Sequence, residues 1–145
     1  MLNRAIAGLY LVSVGLISLV FFTLSLGCWL LTRPFDARLI ALHHLASLWA
    51  KATMLFMPAW SVKLDIRTKQ PLPSPAIFVS NHQSMLDILV GYNIPSAFKW
   101  VAKAELFKIP VIGWNMGLNN YIRIYRGQHR GIKEMLVACE KTLKG

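Results

Sequence analysis

The feature that most constrains this chain is an uncharged, apolar run close to its beginning. No charged residue occurs from Ala5 to Thr32. A helix of that length would extend about 42 Å, which exceeds the roughly 30 Å of a bilayer's hydrocarbon core. The run is also longer than the apolar part of a cleavable signal peptide, which has roughly 7 to 15 residues. We therefore predict a retained transmembrane or interfacial helix.

A second apolar segment occupies residues 39–57. It places His43, Ser47 and Lys51 at successive i+4 positions, so it predicts a helix that lies at the membrane interface or packs beside the first helix. The neighbouring His43 and His44 do not indicate a metal site. Adjacent helical side chains point about 100° apart, and no carboxylate accompanies these two.

Charge and composition narrow the classes of partner. Sixteen Lys and Arg residues against six Asp and Glu give a net charge of +10, while 55% of the residues are hydrophobic. A disordered basic tail is excluded by that composition. Because the cations are dispersed and no nucleic-acid motif is present, we expect no nucleic-acid partner. An anionic membrane surface or a phosphorylated small molecule fits better.

The cysteines and the flanking charges bear on location. The two cysteines, Cys28 and Cys139, do not suggest a disulfide framework, which favours a reducing compartment. Arg4 precedes the apolar run and Arg33 follows it, so these charges alone barely decide its orientation. The Lys-rich remainder favours the cytoplasmic side. We expect a membrane protein with its active domain on that side.

The second half of the chain has the pattern of an α/β fold. We predict a buried strand at Ala76–Val79, a helix from Ser84 to about Gly91, strands at 98–102 and 120–125, and a helix at 128–144. Strands alternating with helices predict a partly parallel sheet with flanking helices. We therefore divide the chain into a membrane-associated segment with two apolar helices, residues 1–58, and the N-terminal part of an α/β domain, residues 59–145.

The residues after the first predicted strand read Asn81-His82-Gln83-Ser84-Met85-Leu86-Asp87. Ligands of open α/β sheets bind beyond the carboxyl ends of the strands. If the helix begins at Ser84, His82 lies in the loop and Asp87 in the first helical turn, so their side chains can converge. A carboxylate that holds one imidazole nitrogen makes the other a better base toward a substrate hydroxyl.

A structural alternative explains the same residues. Ser84 to Asp87 matches a capping box, in which Asp87 reaches back to the amide of Ser84 and needs no catalytic role. The two interpretations are compatible, because such a helix start brings Asp87 toward His82. Ser84 as a covalent nucleophile is disfavoured, since it lacks a Gly-x-Ser-x-Gly surround.

Several motifs occur together in one order: the apolar predicted strand Ala76–Val79, Asn-His-x-x-x-x-Asp, WVAKAELFKIPVIGW at Trp100–Trp114 and YIRIYR at Tyr121–Arg126. In this arrangement the chain resembles the lysophosphatidic acid acyltransferases, or 1-acylglycerol-3-phosphate acyltransferases, of the glycerolipid acyltransferase superfamily. The resemblance covers roughly Trp60 to Gly145. The apolar N-terminal region is similar in character only.

The resemblance implies a function and a set of site residues. His82 would act as the general base on the glycerol 2-hydroxyl, which attacks the thioester of acyl-CoA or acyl carrier protein, and Asp87 would orient His82. The product would be phosphatidic acid, with no acyl-enzyme, cofactor or metal. Arg126 would hold the substrate phosphate with help from Lys103, although Tyr125 replaces the acidic or small residue usual before that arginine.

One departure from the family pattern concerns the end of the chain. The family's third motif, Phe-Pro-Glu-Gly-Thr, would follow almost directly after Gly145. A later proline-containing motif associated with the acyl donor is missing too. We therefore expect a truncated chain with an incomplete sheet, which is inactive or poorly folded alone. The alternative function is a non-catalytic, membrane-anchored fragment or binding module of the same fold.

Overall fold

The computed structural model describes residues 2–56, 61–67, 71–72 and 74–144. Along the chain the elements are α1 (Leu2–Thr32), α2 (Ile40–Leu55), α3 (Leu86–Gly91), β1 (Val101–Lys103), a 3-10 turn (Ala104–Lys108), α4 (Ile112–Leu118), β2 (Ile122–Ile124) and α5 (His129–Lys144).

The two predicted apolar helices are present, and α2 packs along α1. Trp49 Nε1 of α2 donates a hydrogen bond to Ser18 Oγ of α1 over 3.0 Å. At the reversal between the helices, Asp36 Oδ2 accepts a hydrogen bond from the backbone amide of Ala41. α1 is long and apolar enough to cross a membrane. The end of the second predicted segment, residue 57, lies outside the described residues.

The polar residues of α2 at i+4 spacing, His43, Ser47 and Lys51, do not all lie at the surface. His43 is buried, and its ring contacts those of Phe98 and Tyr92, with centroid distances of 4.8 and 5.8 Å. Lys51, two turns along, is exposed. The difference arises because the N-terminal half of α2 is covered on a second side by the segment that leads into β1.

The hydrophobic core lies between α2 and α3. Its buried members are Ala46, Ala50, Leu89 and Tyr92, and larger side chains such as Trp100 pack around them. The two alanines leave room for α3 to approach α2 closely. The core therefore connects the apolar helices with the α/β part of the chain.

The predicted parallel sheet is confirmed in the pairing of β1 with β2. Val101 lies opposite Ile122 and Lys103 opposite Ile124. The 3-10 turn and α4 connect the two strands, and α5 packs against β2. Helices flank the sheet, so the fold is α/β as expected.

One predicted strand is wrong. Residues 76–79 form no strand, and the side chains of Ile77 and Val79 are exposed. A strand that is buried on both faces needs a paired neighbour and covering helices. In the described part of the chain the sheet contains β1 and β2, so the apolar run at 76–79 has no neighbouring strand.

Candidate functional site

The loop before α3 brings His82 and Asp87 together. His82 lies in irregular chain, and Asp87 is the second residue of α3. The distance between His82 Nδ1 and Asp87 Oδ2 is 3.2 Å. The predicted convergence of the two side chains is thus confirmed, and it depends on the change from loop to helix between them.

Local hydrogen bonds fix the carboxylate in this position. Asp87 Oδ2 also accepts the backbone amides of Gln83 and Ser84, over 2.7 and 2.8 Å. Ser84 Oγ accepts the amide of Leu86 over 3.2 Å. The bond from the Ser84 amide to Asp87 is the one predicted for a capping box. Ser84 Oγ bonds the amide of Leu86 rather than that of Asp87, and Met85 is the N-cap residue of α3. The helix start and the His82 contact therefore occur together, in agreement with the prediction that the two interpretations are compatible.

The same contacts set the charge of the pair. Hydrogen bonds from the amides of Ser84 and Gln83 are the main cause of the lowered pKa of Asp87, and His82 contributes less. Asp87 is consequently ionised at neutral pH. A carboxylate at Nδ1 favours the tautomer that carries its proton on Nδ1 and leaves Nε2 as the acceptor.

The pair is open to solvent. The side chains of His82 and Asp87 are 56% and 39% exposed. Within the described part of the chain, Asp87 is the side-chain partner of His82, and no hydrogen bond to Nε2 is found. A substrate hydroxyl can therefore reach the imidazole from solvent without displacing another protein group.

Lys103 and Arg126 lie at, or just beyond, the carboxyl ends of the two parallel strands. Lys103 is the last residue of β1, and Arg126 lies in the turn two residues beyond β2. Both side chains are exposed. Parallel strands end at the same edge of a sheet, which is where α/β folds bind ligands. Among the described residues, no hydrogen bond or ion pair joins these cations to His82 or Asp87.

Side chains in β2 alternate between buried and exposed positions only as far as the end of the strand. Ile122 is buried and Arg123 exposed, as expected for neighbours on opposite faces. However, β2 ends at Ile124, so Arg126 belongs to the turn that contains Gly127 rather than to the strand. Arg123 lies over the ring of Phe107, with Cζ 4.6 Å from the ring centroid.

A half-buried lysine outside the predicted motifs also connects the elements of the domain. Lys99 Nζ donates a hydrogen bond to the carbonyl oxygen of Asn119 over 2.9 Å, which joins the segment before β1 to the end of α4. Burial lowers the pKa of Lys99 to about 8, and the charge of Asp36 opposes this shift. The sequence signal was a lysine within the otherwise apolar stretch Ala97-Phe98-Lys99-Trp100.

The side chains that most often bind metal ions are scattered over the fold. Within the ranges that the structure describes, no group of three or more His, Cys, Asp or Glu side chains could hold a metal ion. The site residues that the sequence predicts are one imidazole, one carboxylate and two cations, those of His82, Asp87, Lys103 and Arg126.

Comparison with known proteins identifies the family. The sequence model of the acyltransferase family matches residues 63–144, which is more than half of the chain. The chain belongs to the acyltransferase family. The matched region contains His82, Asp87, Lys103 and Arg126, and the predicted resemblance to the lysophosphatidic acid acyltransferases is confirmed.

Three relatives illustrate the similarity. The chain is 36% identical over 105 residues to the chloroplastic 1-acyl-sn-glycerol-3-phosphate acyltransferase LPAT1 of Arabidopsis thaliana, covering 70% of this chain and 28% of the relative. It is 36% identical over 115 residues to a 1-acyl-sn-glycerol-3-phosphate acyltransferase of Chlamydomonas reinhardtii, covering 78% and 34%. A Helicobacter pylori enzyme of the same name is 42% identical over 69 residues, covering 46% and 29%.

These alignments cover about a third or less of each relative's length. No solved structure matches the chain.

Proposed function

We propose that the protein transfers a fatty acyl group from a thioester donor, acyl-CoA or acyl carrier protein, to the 2-hydroxyl of lysophosphatidic acid. The product is phosphatidic acid. The observation that carries this proposal is the 3.2 Å contact between His82 Nδ1 and Asp87 Oδ2 in a member of the acyltransferase family. The names of the relatives supply the substrate class.

The chemistry follows from the orientation of the imidazole. Asp87 accepts the Nδ1 proton of His82, which leaves Nε2 free to accept the proton of the substrate's 2-hydroxyl. The hydroxyl oxygen attacks the thioester carbonyl as that proton moves to Nε2. The carbon–sulfur bond then breaks, and the departing thiolate takes the proton from the imidazolium. An ester and a free thiol result, and His82 returns to its starting state.

The substrate phosphate is assigned to Arg126, with Lys103 in support. Both cations follow strand ends at the same edge of the sheet, and both are exposed. A guanidinium can donate two hydrogen bonds to one phosphate, whereas an ammonium acts as a point charge. Arg126 is therefore the main contact in this proposal.

We also place the domain on the cytoplasmic side of the membrane. The acceptor is a lipid and the donor is water-soluble, so the reaction belongs at a membrane surface. The net charge of +10 favours an anionic cytoplasmic leaflet. α1 holds the domain at that surface.

The test is an acyl-transfer assay with membranes that contain the protein expressed from its own gene. Labelled lysophosphatidic acid is supplied with acyl-CoA or with acyl carrier protein, and labelled phosphatidic acid is measured. His82→Ala should lower the rate by at least about 100-fold, because a general base contributes that much or more. The matched control is His129→Ala, which removes an exposed histidine at the start of α5.

Equal amounts of variant protein in the membrane exclude a loss of expression. If His82→Ala retained the activity of the unaltered protein, the proposed mechanism would be wrong. If the unaltered protein formed no phosphatidic acid with either donor, the binding-module alternative would replace the proposed function.

A further inference from the structure

The segment that begins α4 lies against the membrane helix. The rings of Trp114 in α4 and Phe22 in α1 have centroids 5.6 Å apart, and the two helices pack together. Trp114 therefore lies at the level of Phe22 along α1. The exposed part of its ring meets the same medium, water or lipid, as α1 does at that level. The position of Phe22 along α1 consequently determines the environment of α4.

That position can be estimated from the length of the helix. Phe22 is 18 residues beyond Arg4, the charged residue at the beginning of α1, and the helix between them rises about 27 Å. The hydrocarbon core of a bilayer is roughly 30 Å thick. If Arg4 stays at one membrane surface, as its charge favours, Phe22 and Trp114 reach the opposite interface.

The beginning of α4 presents an apolar surface there. We define the α4 tip as residues 109–114. Its side chains Ile109, Ile112 and Trp114 are exposed, Trp114 by 54%. Lys108 directly before the tip is exposed as well. Tryptophan with a flanking lysine is typical of residues at a membrane interface.

The backbone holds this tip in a defined shape. Val111 has a φ of 65° and a ψ of −59°, a conformation that is strained for a β-branched residue. Gly113 packs so closely on the 3-10 turn that a Cβ atom there would lie 2.4 Å from the carbonyl oxygen of Phe107. The turn that carries the exposed apolar side chains is thus packed closely against the 3-10 turn before it.

We propose that the α4 tip is a membrane-docking element that inserts Ile109, Ile112 and Trp114 into the interface of the bilayer that α1 enters. The partner is a phospholipid surface with anionic headgroups. Continuity with α1 supports lipid as the occupant, and the net charge of +10 supports the anionic headgroups. This contact orients the domain on the membrane, and it does not depend on the proposed acyl transfer.

The test uses a fluorescent reporter at single positions of the full chain. Cys28 and Cys139 are replaced by serine, and an environment-sensitive dye is attached to a new cysteine in Ile112→Cys. Val137→Cys provides the control, because Val137 is also an apolar, exposed residue and lies on α5. Leu16→Cys in α1 reports whether that helix enters the bilayer. The protein is reconstituted in vesicles of phosphatidylcholine and phosphatidylglycerol.

We expect the emission of the dye at residue 112 to shift to shorter wavelength. Lipids with nitroxide-labelled chains should quench this emission, and aqueous iodide should not. The emission of the dye at residue 137 should show no shift to shorter wavelength, and iodide rather than the labelled lipids should quench it. As a second measurement without labels, Trp114→Phe should reduce the share of tryptophan fluorescence that brominated lipids quench.

Four outcomes overturn the proposal, three at residue 112 and one at residue 16. One is iodide quenching at residue 112 equal to that at residue 137, and another is equal lipid quenching at both positions. The third is protection of residue 112 from iodide without lipid quenching, because protein would then cover the tip. An absence of lipid quenching at residue 16 removes the premise that α1 lies in the bilayer and overturns the proposal as well.

Discussion

The phenolic oxygens of Tyr92 and Tyr121 lie 2.6 Å apart in a buried hydrogen bond. Burial raises the pKa of both groups, so both hydroxyls stay protonated at neutral pH. Tyr92 directly follows α3, the helix that carries Asp87, and Tyr121 directly precedes β2, the strand that leads to Arg126. The hydrogen bond therefore joins the end of the helix that carries Asp87 to the start of the strand that leads to Arg126.

Removal of one hydroxyl from this pair should destabilise the protein. Tyr121→Phe leaves the Tyr92 hydroxyl buried without its partner, which costs about 1–3 kcal/mol of unfolding free energy. The double variant Tyr92→Phe with Tyr121→Phe should lose less than the sum of the single losses. Denaturant unfolding measures the unfolding free energy of the unaltered protein, of the single variants Tyr92→Phe and Tyr121→Phe, and of the double variant. Tyr125→Phe, at an exposed position, is the control, and strictly additive losses would contradict the coupling.

Asp87→Asn should separate the catalytic role of this residue from its role in the helix start. Because Oδ2 of Asp87 makes all three contacts, the carboxamide oxygen of Asn can still accept the amides of Gln83 and Ser84 and face His82 Nδ1. It lacks the negative charge that stabilises the imidazolium. We expect kcat to fall by about 100-fold or more, with the circular dichroism spectrum unchanged. The acyl-transfer assay measures kcat. Asp65→Asn, in an exposed pair with Arg67, is the control, and an unchanged kcat for Asp87→Asn would assign Asp87 to helix capping alone.

Arg126→Ala should weaken binding of the phosphorylated acceptor. Loss of a charge-assisted hydrogen bond to phosphate costs about 1.5–3 kcal/mol, which corresponds to a rise in KM for lysophosphatidic acid of roughly 10-fold or more. KM for the acyl donor should stay the same. Arg123→Ala removes an equal charge from the same part of the chain and serves as the control. Equal effects of the two substitutions on KM would point to general electrostatics instead of a phosphate contact.

Gly113→Ala and Gly117→Ala are two substitutions in α4 with opposite expected results. A Cβ at residue 113 would meet the backbone of Phe107 at 2.4 Å, whereas a Cβ at residue 117 has no atom within 4 Å. We expect Gly113→Ala to destabilise the protein by about 1–3 kcal/mol through overpacking. Gly117→Ala should stabilise it by up to about 1 kcal/mol. Thermal unfolding in detergent compares the two, and equal melting temperatures would show that α4 is not pressed against the 3-10 turn.

The half-buried Lys99 should make the unfolding free energy of the protein change with pH in the alkaline range. Its pKa is lowered from 10.5 to about 8 in the folded protein, so the unfolded chain binds more protons between these values. Unfolding free energy should therefore rise from about pH 8 to about pH 10.5 and level off above it. Lys99→Met should lack this rise, while Lys133→Met at an exposed position of α5 should retain it. Denaturant unfolding at several pH values provides the measurement, and parallel curves for Lys99→Met and the unaltered protein would contradict the assignment.

Local patterns in the sequence were sufficient for much of the structure. The uncharged run predicted α1, helical periodicity predicted α2 and α5, and the capping box predicted the start of α3. The proximity of His82 and Asp87 could also be predicted, because it depends on a stretch of six residues and one change of secondary structure. The parallel pairing of β1 with β2 followed from the order of the elements.

Contacts between distant residues decided the rest. The apolar run at 76–79 has the pattern of a buried strand, yet burial needs a neighbour that pairs with it. His43 belongs to a polar stripe in the sequence, but Phe98 and Tyr92 cover it. An unusual lysine is visible in the sequence at residue 99, but its partner Asn119 has no local signal, and neither does the packing of Trp114 on Phe22. Periodicity reports which side of an element is apolar, whereas only the packing of elements far apart in the chain determines what that side contacts.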